Sequence, residues 1–156
     1  TGRPEEGLKT LAEILFDLNR TVNAVLHELF LAALKGQDME RARLLAGKES
    51  ELARCFEMGA YQEASPGLEL ATMEEDADAV IAITEKMLSG LVLSGPDDIY
   101  GFRYSRLYEH MNFRKIHPDF IAQTKKDLLR YLQDEETLRF MKENPRWQAL
   151  IKKHAL

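Results

Sequence analysis

Residues 5–34, EEGLKTLAEILFDLNRTVNAVLHELFLAAL, decide the fold class of this chain. Placed at 100° per residue, Leu8, Leu11, Leu15, Leu18, Val22, Val25, Leu26, Leu29 and Ala33 fall within one arc of roughly 100°, the stripe of an amphipathic helix that faces a core. Phe16, Phe30 and Leu31 fall outside that arc, on the side where His27 also lies. A second apolar face means that the helix is either buried on two sides or keeps a patch for a partner.

Working outward, Gly36 suits a helix C-cap and Asp38 the N-cap of a second helix, about Met39 to Gly59, carrying Ala42, Leu45, Leu52 and Phe56. Two long helices joined by so short a turn make an antiparallel hairpin. Ala60 to Leu70, with Ser65-Pro66-Gly67, reads as a loop. Thr72-Met-Glu-Glu75 reads as a capping box that starts a helix from Met73 to about Leu93, stopped by Ser94-Gly95-Pro96. His117-Pro118-Asp119, Asp134-Glu-Glu and Asn144-Pro145 each announce a further helix. No run alternates apolar and polar residues long enough for a strand. The expectation is an all-α single domain over residues 1–156: a helical bundle of about four longer helices with short ones at the C-terminus. Residues 5–59 form its hairpin and 72–156 the remaining helices.

Composition narrows the function. With 45% hydrophobic and 30% charged residues, the 156-residue chain has an ordinary globular make-up. A lone Cys55 cannot form an internal disulfide, no apolar run reaches a membrane span, and Glu5 and Glu6 stand where a signal peptide would be basic. A soluble, cytoplasmic protein is expected. Residues 1–78 hold 8 basic against 16 acidic residues, and 79–156 hold 13 against 10, so the halves present different surfaces. An overall pI near 5.4 argues against a nucleic-acid binder.

The familiar catalytic constellations are missing. No His has Glu three residues before it, as a di-iron bundle requires, and no His pair is four apart. There is no Gly-x-Ser-x-Gly elbow and no phosphate-cradling Gly-rich loop. The spacing of Arg20, Arg41, Arg43 and Lys48 is not that of a chorismate mutase. His27-Glu28 is the dipeptide of many phospho-accepting histidines, which leaves a histidine phosphotransfer module as one alternative. Neither a metal nor a cofactor is expected, and the chain reads as a non-enzyme.

Tyr100 to His117, YGFRYSRLYEHMNFRKIH, is the densest mixture of rings and cations. Taken as one helix, it puts Tyr100, Tyr104, Leu107, Tyr108, Met111 and Ile116 on a core face, and Arg103, Arg106, His110 and Arg114 on a basic strip. Such a strip suits the chain's own acidic half, an acidic partner or phosphates.

The hairpin LAEILFDLNRTVNAVLHELFLAALKGQDMERARLLAGKESELARCF resembles the Leu-rich helix, Gly-Asp turn and second helix of flagellar export chaperones. RLYEHMNFRK is similar to a Leu-Tyr-x-Tyr-Met stretch in one such family. The resemblance covers under half the chain, with a long segment between the two matches, and implies a small bundle that binds another protein's helix.

These observations together predict a non-catalytic protein-binding bundle, an adaptor, chaperone-like or regulatory domain, that recognises a partner helix or an acidic segment. Its partner-binding residues would be Phe16, Phe30, Leu31, Arg103, Arg106, His110 and Arg114. The partner would be another protein, with a homo-oligomer as a variant, and neither nucleic acid nor membrane. The competing reading is a regulatory domain that senses a small organic acid through Arg103, Arg106 or His110.

Overall fold

In the computed structural model, which describes residues 3–91, 100–134 and 136–154, the opening stretch is one unbroken helix, α1 (Arg3–Lys35). It ends as the sequence predicts. Gly36 is the C-cap, Gln37 takes the left-handed conformation (φ 58°), and the Gln37 and Asp38 amides donate to the Leu34 and Ala33 carbonyls. Asp38 then accepts from the Arg41 amide and starts α2 (Met39–Cys55), which folds back along α1.

Two more helix ends close by the same double hydrogen bond, and both shorten what the sequence suggests. Glu57 (φ 52°) follows α2, whose last residue, Cys55, lies four before the expected end at Gly59. Glu75 (φ 52°) is the last residue of the supposed capping box. Ala60 to Leu70 is helical rather than a loop: α3 (Ala60–Ala64) is followed by α4 (Pro66–Met73), with Pro66 in the first turn. Thr72 therefore closes a helix instead of opening one, its hydroxyl donating to the Leu68 carbonyl at 2.8 Å. The true cap is Asp76, which accepts from the Ala79 amide at the start of α5 (Ala77–Ser89). The expected stop at Ser94-Gly95-Pro96 lies outside the described residues.

Three ion pairs tie these short helices together. Glu63 on α3 accepts from Arg54 on α2 (2.9 Å) and Lys86 on α5 (3.1 Å), while Arg43 on α2 meets Glu74.

Tyr100 to His117 is not the single helix expected. It forms two 3₁₀ turns, Gly101–Tyr104 and Arg106–Tyr108, and then no regular structure as far as His117. Ser105 interrupts it, its extended backbone (ψ 138°) placing the hydroxyl to accept from the Leu107 amide. The far end is fixed by Pro118, which requires an extended residue before it, and His117 obliges (ψ 133°). The imidazole of His117 accepts from the Asp119 amide and opens α6 (Pro118–Leu132). Asp134-Glu-Glu leads to a 3₁₀ turn, Arg139–Met141. Asn144 caps α7 (Pro145–His154) by accepting from the Arg146 and Trp147 amides.

The fold is all-α, with seven α-helices and no strand among the described residues. The main core joins α4 and α5 to α6 and α7 through Leu68, Val80, Ile81, Leu88, Leu132, Met141 and Trp147. A second cluster lies within the hairpin, where Phe30, Ala33 and Leu34 of α1 meet Ala42, Leu45 and Ala46 of α2.

That second cluster reverses the expected orientation of α1. Leu8, Leu11, Leu18, Val22, Val25 and Leu29, assigned to the core by periodicity, are 39–63% exposed; Leu26 and Ala33, at the edge of the stripe, do meet the core. Phe30, assigned to the second face, is 1% exposed. The cause is complementarity of size. The buried row of α2 is dominated by Ala42, Ala46 and Ala53, which let the helices approach closely and leave room for a ring.

Candidate interaction face

Seven apolar residues run along the outer side of α1 with alternating spacings of three and four: Leu8, Leu11, Leu15, Leu18, Val22, Val25 and Leu29. Leu15 is half-buried, the other six are exposed, and Ile14 beside them is 49% exposed. At 1.5 Å per residue the row extends about 32 Å. Residues spaced in this way form the narrow seam that one helix offers another, each side chain entering a hole between four side chains of the partner. Among the described residues, no element of the chain covers it: the helix is held instead by α2 and by the Arg106–Tyr108 turn on its other side.

The predicted partner-binding aromatics lie on that other side and face inward. Phe16 stands in a ring cluster, with centroid distances of 5.0 Å to Phe102, 5.5 Å to Tyr108 and 5.9 Å to Phe113. Phe30 fills the hairpin core and Leu31 packs at its edge. Phe30 and Leu31 thus pack on α2 and the half-buried Phe16 packs on the ring cluster, so all three help to hold the bundle together. The ring cluster also explains why Tyr100 to His117 is irregular: its rings are gathered onto α1 from a loop, which a straight helix would not allow.

The basic strip is scattered by the same loss of helix. The Arg103 Nη1 donates to the Arg114 carbonyl at 2.7 Å, so these two come together, with the guanidinium spent on backbone. His110 lies 3.7 Å from the neighbouring Glu109. Arg106 and Arg114 are exposed, and among the described residues neither side chain pairs with a carboxylate. The acidic first half is neutralised elsewhere, partly by its own Arg43 and Arg54.

Two polar groups that sequence reasoning passed over are buried beside α1. Glu49 on α2 is 3% exposed; one carboxylate oxygen lies 3.3 Å from Nδ1 of His27 and the other finds no partner among the described residues. Burial pushes the Glu49 carboxyl above its ordinary value, an effect that His27 opposes without cancelling, and Glu69 adds to it. A carboxyl raised in the folded state costs stability as pH rises from its unfolded value through its folded one, and the cost persists above both. Glu49→Gln should therefore gain in melting temperature relative to the parent as pH is raised from 4 to 8; a constant difference between the two would show that Glu49 is not desolvated. Tyr108 is similar: burial, with Glu57 and Cys55 nearby, pushes its hydroxyl up to about 12, and the hydroxyl has no hydrogen bond among the described residues.

A cavity of about 460 Å³ opens between α1, α2 and the Gly101–Tyr104 turn, lined by Asn19, Arg20, Asn23, Gln62, Phe16 and Phe102. Asn19 is 3% exposed and its amide nitrogen is unpaired among the described residues. Among the described residues, no three of His, Cys, Asp and Glu converge as a metal site. No described helix is long and apolar enough to cross a membrane. No known protein family, curated protein or solved structure matches this chain.

Proposed function

We propose that this chain is a non-catalytic protein-binding bundle, an adaptor, chaperone-like or regulatory domain of the cytoplasm, that recognises a partner helix. The observation that carries the reading is the uncovered seam of α1. The exposed surface of its residues sums to about 600 Å², the upper end of the largest apolar patch on a typical monomer, and such patches are often functional. The recognition is of the helix-in-groove kind, in which apolar anchors at three- and four-residue spacing supply the affinity. The seat of binding is thus the outer face of α1, and the exposed Arg106 and Arg114, on the other side of that helix, are left to a separate acidic segment.

The test is capture from the native cytosol at low and high salt, comparing the parent with Leu11→Glu/Leu18→Glu. A partner held by the seam is retained at both salt concentrations and lost with the variant; a partner held by Arg106 and Arg114 is lost at high salt. If both proteins retain the same set, the reading fails.

The cavity beside Phe16 favours a second reading, a domain that senses a small organic acid. Arg20 supplies the charge, and Asn19, Asn23 and Gln62 supply amide donors, in place of the Arg103, Arg106 or His110 expected from sequence. A rise in melting temperature with small carboxylic acids, abolished by Arg20→Ala, would support it.

A further inference from the structure

We infer that the partner helix on the seam is α1 of a second copy of this chain, running antiparallel about a two-fold axis near Leu18. The inference rests on the reading that the seam binds a helix, and it specifies which helix.

Three observations favour self-pairing. The first is the period. The core-facing side of a helix in a globular protein is a broad arc, whereas a strict alternation of three and four, kept from Leu8 to Leu29, is the repeat of two helices winding around each other. A seam with that repeat is complementary to itself, as a two-fold interface requires.

The second is area. With six of the seven seam residues 39–63% exposed and Ile14 49% exposed, each copy contributes about 600 Å² of apolar surface. Complete burial of these residues in the pair would remove about 1,200 Å², the lower edge of a stable specific interface, and flanking residues would add to it.

The third is charge, which also sets direction. The seam itself carries no charge, and beside it only Glu28 follows Ile14 and Thr21 on the open flank. The first turn of α1 holds Glu5 and Glu6, and its last turn holds Lys35. Antiparallel packing opposes the two helix dipoles, whereas parallel packing aligns them. It also supports the start of each helix. Residues 3–11 are all exposed and touch no core cluster, while residues 26–34 are anchored on α2. Each exposed start then lies along an anchored end. A membrane surface fits α1 less well, because the helix carries four basic and five acidic residues and so lacks the cationic face that anionic lipid attracts.

Sedimentation equilibrium tests the inference between about 1 and 200 µM chain. The expected mass is twice 17.9 kDa at the upper concentrations. Leu11→Glu/Leu18→Glu should weaken the dimer by roughly 100-fold or more while helicity is kept, because each copy would bury two unpaired charges. Direction is read in a Cys55→Ser background: Leu18→Cys should give a disulfide-linked dimer under mild oxidation, and Leu8→Cys should not. A parent chain that stays monomeric at 200 µM overturns the dimer whatever the variant does. If that monomer still captures another protein in a manner sensitive to Leu11→Glu/Leu18→Glu, the helix-binding reading survives with a different helix. Cross-linking at Leu8, with or without cross-linking at Leu18, overturns the antiparallel arrangement.

Discussion

Phe30→Ala should cost about 3–5 kcal/mol, whereas Leu29→Ala, one residue earlier, should cost less than about 1 kcal/mol when both are measured in dilute solution. The two side chains leave the same helix in different directions. Phe30 is 1% exposed and is enclosed by Ala33, Leu34, Ala42, Leu45 and Ala46, so removing its ring opens a cavity between two helices whose small residues cannot fill it. Leu29 is 39% exposed and belongs to the seam. For a chain of this size the Phe30 loss corresponds to a fall in melting temperature of about 10 °C. The outcome that would sink the assignment of faces is the reverse: a large loss at Leu29 with a small one at Phe30 would restore the orientation read from periodicity. Dilution matters, since Leu29→Ala in a dimer would add a loss that depends on concentration.

The second large effect is expected at Phe102, where replacement by Ala should cost about 3–4 kcal/mol. Its ring meets Phe16 and Phe113 at 5.0 Å, Tyr100 at 5.5 Å and Tyr108 at 6.3 Å, and is 7% exposed. Four rings lose a shared neighbour at once. Because Tyr100 to His117 contributes only 3₁₀ turns, far-UV helicity should barely change while the urea midpoint falls. A loss under about 1 kcal/mol would mean that the ring cluster does not anchor this segment on α1.

The existence of the helices was legible because periodicity, Pro at first turns and Asx caps are local signals. Asp38, Pro118 and Asn144 act as their positions suggest. The face that α1 turns inward was not legible, since two apolar faces compete and the winner is decided by Ala42, Ala46 and Ala53 on another helix. A clue was present: a spacing of three and four without deviation is too regular for a globular face. The helix break at Glu75 was hidden because no residue type marks it, and Thr72-Met-Glu-Glu75 satisfies the rule for a capping box equally well. The basic strip depended on treating Tyr100 to His117 as one helix, and it dissolved when the rings were drawn into a cluster that includes Phe16, more than 80 positions away in the chain.

Gln37, Glu57 and Glu75 have a consequence for how this chain can change. Each occupies a backbone conformation that glycine enters without steric cost and other L-residues enter at about 1–2 kcal/mol. The three helix endings therefore hold unused thermal headroom, distributed over surface positions away from the seam. A lineage bearing this fold has room there to absorb destabilising substitutions on the outer face of α1, where the proposed specificity for a partner helix would have to change.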